Sequence, residues 1–302
     1  MIECVPNFSA GRAPEVVERL ARRIEGTPGV ALLDRHQDVD HNRAVLTFAG
    51  SPRAVLEAAL GAVETAAELI DLRRHSGAHP RIGATDVLPF VPLEGVTLEE
   101  CVEVAHQAGE EIWRRLRIPV YFYEAAALRP ERRRLERIRK LGFETLAVRS
   151  AEPELRPDVG GPELHPTAGA VMVGARKFLI AWNVYLKNNN VAAARRLAKR
   201  IRESSGGLAH VKALGLALES RGRAQVSINL TDFEATPMHR VWEALQQAAQ
   251  EEGVELGESE IVGLIPRRAL MDAGRHLLGL PPEVLEATVE GRLEQKLPEA
   301  QG

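Results

Sequence analysis

Cysteine is nearly absent from this 302-residue chain. Cys4 and Cys101 are the only two, too few for a disulfide framework or a four-thiolate zinc site. They read as buried, reduced thiols of a cytosolic protein. No apolar run approaches the ~20 residues that a membrane span needs. The opening MIECVPNFSAGR has neither a charged n-region nor an apolar h-region, so no secretory signal is expected. An excess of one charge is also lacking. The 39 Lys and Arg against 42 Asp and Glu leave a net charge of -3, so no overall basic field marks a nucleic-acid partner. There is no GxGxxG after a strand, no Walker loop, no HExxH and no GxSxG. Their absence argues against dinucleotide, ATP-loop, zincin and serine-hydrolase chemistry.

What is present is a globular balance of 45% hydrophobic and 27% charged residues, on a length that suits two domains. The first half alternates short apolar runs, read as strands over 2–5, 30–33, 44–48, 87–91 and 120–123, with amphipathic helices. The helix opened by Pro14 carries Val17, Leu20, Ala21 and Ile24 at helical spacing. Ser51-Pro52 supplies an N-cap and a first-turn proline for the next, and Thr97 with Glu100 a capping box for the third. Residues 129–140, RPERRRLERIRK, read as one basic amphipathic helix, either an anion contact or, the preferred reading, a solvated face. Prolines 153, 157, 162 and 166 mark a linker, which places the domain boundary between 168 and 169.

The second half reads as strand 178–186, helix 192–201, strands 211–218 and 224–233, a helix capped by Thr236-Pro237, and strand 261–265. This β-α-β-β-α-β order is the split-βαβ, ferredoxin-like pattern, and the first half begins in the same order before adding a further α-β. The expected fold is α/β of the α+β type. It consists of two ferredoxin-like subdomains, helices outside, with sheets facing a ligand crevice.

Three loops concentrate polar, chemistry-bearing residues. The first runs from Arg74 to Asp86 and holds His75, His79 and Arg81. The second, Asp34 to Arg43, holds Asp38, Asp40, His41 and Asn42. The third is Val5-Pro6-Asn7-Phe8-Ser9. The loop setting of the two histidines gives no zinc face, and the Asp38–Asp40 spacing lacks the glycine and terminal glutamate of a calcium loop. No metal is expected. Neutral histidine suits proton transfer near pH 7.

These loops sit within longer strings: VPNFSAGR, DHNRAVLTFAG, HSGAHPRIGATDVLPFVPL, HPTAGAVMVGARKFLIAWNVYL and AQVSINLTDFEAT. In this order, from residue 2 to about 275, the chain resembles the formiminotransferase family. The resemblance implies transfer of a formimino group from N-formimino-L-glutamate to tetrahydrofolate as co-substrate, in histidine degradation. It also implies a cytoplasmic homodimer and a folate tunnel. It makes His79 the catalytic proton carrier, and assigns folate contacts to His165, Pro166, Thr167, Ala168, Gly169, Ala170, Val171, Met172, Val173 and Gly174, and to Gly207, Leu208 and Ala209. Substrate and folate are both anionic. Bidentate arginine partners are therefore expected, with Arg43 and Arg81 the candidates, Arg176 a lesser one, and Asn7 and Asn42 beside them. Asp38 or Asp40 would orient His79 or hold a cationic formimino group.

The chain departs from the animal pattern at Thr167-Ala168-Gly169, where an aromatic is lost, and at His36, where an acidic residue is lost. Alternative readings are a 5-formyltetrahydrofolate cyclo-ligase activity and a non-catalytic folate-binding protein. The polar set Gln225, Ser227, Asn229 and Thr231 shares one strand face, and Asn229 suits the amide-like edge of a pterin.

Overall fold

The computed structural model describes residues 1–39, 41–77, 80–218 and 222–285. The chain forms two compact units, Met1–Lys177 and Phe178–Gly302. Elements of the first are β1 (Ile2–Cys4), β2 (Asn7–Phe8), α1 (Pro14–Glu25), β3 (Val30–Asp38), β4 (Arg43–Gly50) and α2 (Pro52–Leu69). They continue with β5 (Thr85–Pro92), α3 (Leu98–Leu116), β6 (Val120–Glu124), the short helices α4 (Glu136–Arg139) and α5 (Gly142–Arg149), and β7 (Val171–Ala175). β1 and β2 are two pieces of one line, since each pairs with both β4 and β5. The sheet runs β3-β4-β1/β2-β5-β7-β6. Its first four positions are antiparallel and have the ferredoxin-like order, while β5, β7 and β6 are parallel.

The helices form where the sequence marks them. Ser51 Oγ accepts the Ala54 N–H at 3.3 Å at the head of α2. The capping box of α3 closes in both directions, Glu100 N–H to Thr97 Oγ1 at 3.2 Å and Thr97 N–H to Glu100 Oε2 at 2.7 Å. The apolar stripes of α1, α2 and α3 pack with Ile2, Cys4, Phe48 and Phe90 on one face of the sheet. A smaller cluster, with Ile82, Tyr121, Tyr123 and Met172, meets Ile138 and Leu146 of α4 and α5. Both cysteines are free and buried. No helix among the described residues is long and apolar enough to cross a membrane.

Several readings need correction. β7 was not expected as a separate strand. All five of its residues are buried, as in a strand covered on both faces, so it shows no alternation. Because β7 belongs to the first sheet, the units divide after Lys177, nine residues beyond the expected boundary. The basic stretch is not one helix but a 3-10 turn (Pro130–Arg133) followed by α4. Arg133, Arg134, Arg137 and Lys140 are solvent-exposed, but Arg132 is buried and its Nη1 meets Asp158 Oδ1 at 2.6 Å. The Asp34–Arg43 segment is mostly not a loop. β3 extends to Asp38 and pairs with β4, with Asp38 opposite Arg43.

The second unit contains β8 (Ile180–Leu186), α6 (Val191–Ile201), β9 (Val211–Leu218), β10 (Arg223–Leu230), α7 (Met238–Glu251), β11 (Leu256–Val262) and α8 (Arg267–Leu277). Its sheet is antiparallel in the order β11-β8-β10-β9, the ferredoxin-like arrangement. β10 buries Ala224, Val226, Ile228 and Leu230 against α6 and α7. On its other face Gln225 is buried, Ser227 half-buried and Asn229 exposed. Thr236 does not cap α7. Its hydroxyl donates to the Ala209 carbonyl at 2.8 Å, and Pro237 occupies the cap position. β11 begins earlier than expected because it is a half-exposed edge strand without clear alternation.

Glu3 tests the inside-out logic of β1. Ile2 and Cys4 enter the helix-side core, so Glu3 faces the opposite side, where it is 3% exposed. Burial pushes its carboxyl up to about 7 against the pull of Arg176. An acid whose folded pKa is raised destabilises the fold once pH exceeds its unfolded value, and the full loss is reached above the folded pKa. Glu3→Gln is therefore expected to stabilise the protein by on the order of 3 kcal/mol at pH 8 and to be nearly neutral near pH 4.5. Thermal unfolding of both proteins across that range checks it.

Candidate active site

The hairpin of β3 and β4 carries one wall of the site. Its turn is closed by His41, whose backbone N–H donates to Asp38 Oδ1 at 2.9 Å and whose Nδ1 contacts Asp38 Oδ2. Burial opposes ionisation of Asp38, but these His41 contacts and nearby Arg43 hold its carboxyl below the ordinary value. Asn42 adopts φ 49°, a left-handed turn conformation that asparagine tolerates. Its side chain bridges outward, accepting from Arg12 N–H at 3.0 Å and donating to the Ser76 carbonyl at 2.9 Å.

The opposite wall is the loop entering β5. His75 is clamped at both ring nitrogens, Nε2 to the Asn42 carbonyl at 3.0 Å and Nδ1 to Arg81 Nε at 2.9 Å. Arginine only donates, so Nδ1 accepts and the ring is the neutral Nε2–H tautomer. Burial, followed by Arg81 and Arg12, lowers its pKa, although the Asn42 carbonyl pulls the other way. Arg81 also donates through Nη2 to the His75 carbonyl at 3.0 Å, and grips Glu144 with two bonds at 2.7 and 3.0 Å. Asp86, on β5, accepts the Ile82 N–H at 2.7 Å and the Arg139 Nε–H at 2.7 Å.

Phe8, Ser9, His41, Asn42, Arg43, His75, Arg81, Asp86 and Arg139 line a small, partly open cavity. Within it, Arg43 Nε is buried without a hydrogen-bond partner. Burial and then the neighbouring Arg139 lower the Arg43 pKa, while Asp38 and Asp86 offset part of that effect. The turn at residues 165–169 lies against the same β5 entrance. Ala84 N–H donates to the Ala168 carbonyl at 2.9 Å and Ala170 N–H to the Ile82 carbonyl at 3.0 Å. On the other side, Ser9 Oγ donates to the Gly83 carbonyl at 2.8 Å.

The strings VPNFSAGR, DHNRAVLTFAG and HSGAHPRIGATDVLPFVPL thus all contribute residues to one cavity. Residues 1–176 match the formiminotransferase domain, N-terminal subdomain, and residues 181–283 match the formiminotransferase domain. The chain belongs to the formiminotransferase family. It is 44% identical to the glutamate formimidoyltransferase of Streptococcus pyogenes serotype M1, covering 92% of this chain and 93% of that one. It is 42% identical to the glutamate formimidoyltransferase of Thermoplasma acidophilum, covering 93% of both. Identity to the formimidoyltransferase-cyclodeaminase of Rattus norvegicus is 43%, and there the chain spans about half of the relative's length.

Within this family framework, the expected site residues fall into several groups. Arg43, Arg81 and Asn42 line the cavity, and Asp38 is tied to its His41 wall. His79 and Asp40 lie outside the described residues. Asn7 sits on β2, where its amide donates to the Val5 carbonyl at 3.1 Å. Arg176 is elsewhere, acting on Glu3 and Tyr123. His165 and Thr167 are half-buried and Pro166 is exposed. Ala168–Gly174 are buried, and residues 171–174 lie in β7. Leu208 and Gly207 border a surface depression of the second unit beside α6 and α7, and Ala209 is exposed.

Two residues missed at the sequence level are Asp86 and Arg139. Asp86 was visible as the end of the HPRIGATD string. Arg139 lay in the basic stretch whose anion-contact reading was set aside, and its partner is 53 residues away. The clamp on His75 generates a test. His75→Ala removes two part-buried hydrogen bonds and is expected to cost about 1–3 kcal/mol. His75→Gln, with an amide oxygen for Arg81 Nε, should recover part of that loss. Denaturant unfolding of the three proteins checks this.

Proposed function

We propose that this protein is a glutamate formimidoyltransferase. It moves the formimino group of N-formimino-L-glutamate to tetrahydrofolate, giving 5-formiminotetrahydrofolate and L-glutamate in histidine degradation. The observation that carries the reading is the cavity in which family motifs surround Arg43, whose buried Nε has no hydrogen-bond partner, a setting that suits an anionic ligand. The names of relatives that align over nearly their whole length support the same reaction.

In this reading the folate nitrogen attacks the formimino carbon, and the tetrahedral intermediate expels the glutamate nitrogen. His79 takes the proton from the attacking nitrogen and returns one to the leaving nitrogen. Asp38, kept ionised by His41, supplies negative charge for a cationic formimino group, with Asp40, two residues on in sequence, as the alternative. Arg43 is the carboxylate partner. Arg81, already engaged by Glu144 and His75, acts by holding the loop rather than by gripping substrate. Asn7 and Asn42 shape the strand line and turn around it. Folate contacts are proposed for the turn from His165 to Gly169 and, in the second unit, for residues 207–209 and Asn229.

The reading includes a cytoplasmic homodimer. Two free, buried thiols suit a reducing compartment. Light scattering at twice the chain mass is the expected result.

The central test is release of glutamate from formiminoglutamate by purified protein, expected only when tetrahydrofolate is present. His79→Ala should lower that rate by about 10²–10⁴-fold with the unfolding temperature unchanged. Asn229→Leu, at an exposed position, should raise the KM for tetrahydrofolate without moving the unfolding temperature. An unchanged KM would remove Asn229 from the folate site.

A further inference from the structure

Arg139 lies in the stretch that the sequence presents as solvated charge, yet its side chain is only 14% exposed and meets an Asp86 carboxylate that is 4% exposed. The contact is one-sided. Nε and Nη2 both reach Asp86 Oδ2 at 2.7 Å, which leaves the Nη1 end of the guanidinium for another partner. Asp86 is itself fixed by the Ile82 N–H, so the grip is rigid at both ends. Arg43 lines the same cavity with a buried Nε that has no acceptor. Two guanidinium groups lining one small cavity repel each other, and an anion bound between them relieves that repulsion while filling the open donors.

We infer that Arg139, positioned by Asp86, joins Arg43 in binding the α-carboxylate of the amino-acid substrate and so selects for that group. The inference rests on the proposed transfer reaction. The choice of carboxylate follows from covalent structure. The α-carboxylate of formiminoglutamate is attached to the carbon that bears the leaving nitrogen. The carboxylates of a folate hang from the far side of its aminobenzoyl group, away from the reacting pterin nitrogen. A cavity walled by the loop that carries the proton-transfer motif therefore meets the donor's carboxylate, not the folate's.

Arg139→Gln removes the charge and the fork. The KM for formiminoglutamate is expected to rise about 10- to 100-fold, the range for losing a charged hydrogen-bond partner, while the KM for tetrahydrofolate stays as in the unmodified protein. Arg139→Lys should rescue little, since an ammonium cannot hold Asp86 and present a second donor edge. Asp86→Asn should raise the same KM with a smaller change in kcat. A folate-free measurement separates this inference from the reaction itself. L-Glutamate is expected to raise the unfolding temperature of the unmodified protein more than its α-amide does, and Arg139→Gln should erase that preference. Should Arg139→Gln fail to fold, Arg139→Lys carries the same comparison. A folded variant with unchanged KM for formiminoglutamate, or with an intact preference for glutamate over its α-amide, overturns the inference. A protein that shows the glutamate preference but no folate-dependent transfer would instead overturn the reaction and leave the receptor standing.

Discussion

The insertion of β7 between β5 and β6 is the constraint on which the rest of the first unit depends. Its parallel pairing joins Val87 to Met172 on one side and Val171 to Val120 on the other. The turn that leads into it must then run across the entrance of β5. There is no space for side chains at that crossing. A Cβ on Gly83 would lie 2.1 Å from the Ala170 carbonyl oxygen, and one on Gly169 would lie 2.1 Å from that of Ile82. Both distances are far inside contact, so the two backbones meet through bare glycines. The polar loop before β5 and the turn at 165–169 are held together by this backbone contact, and the site's geometry is inherited from it.

Upon that scaffold, ion pairs of long sequence separation fasten the third wall. Arg81 meets Glu144 at 2.7 Å and Arg139 meets Asp86 at 2.7 Å, while the Phe143 N–H donates to the Arg81 carbonyl at 2.8 Å. The two pairs differ in energetic character. Glu144 is 68% exposed on its side chain, so that pair adds orientation more than stability. Asp86 and Arg139 are nearly dry, and removing either would leave the other a buried, uncompensated charge. The short helices α4 and α5 are thus tied to the site by charge as well as by Ile138 and Leu146 in the core.

How far the sequence revealed this depends on the range of each interaction. α1, α2 and α3 were legible because their stripes and caps lie within one helix. The β-α-β-β-α-β order of the second unit was legible because β10 alternates and α6 and α7 bury clean faces. β7 was hidden because a strand buried on both sides has no period to read. In the 129–140 stretch Arg132 and Arg139 escaped the reading as a solvated face, because arginine content signals solvent unless the carboxylate partner is known, and Asp158 and Asp86 lie in other parts of the chain. The site was legible as motif strings but not as assignments. Arg81 looks like a ligand-binding arginine in sequence, and only coordinates show its donors engaged by His75 and Glu144.

That engagement explains how a chain of net charge -3 prepares a place for an anion. Among the described residues around the cavity, the cationic side chains have acceptors within the fold, and Arg43 Nε does not. Arg81 has Glu144, Arg139 has Asp86, and His75 is kept neutral by receiving a bond at Nδ1. Arg43 stands opposite Asp38 in the β3–β4 register, but Asp38 is taken up by His41, and Arg43 Nε is left without an acceptor. A fold selected for stability alone would pair or expose such a donor, since a buried unmatched one costs free energy. Its place beside a second guanidinium is the feature on which the proposed anion site rests.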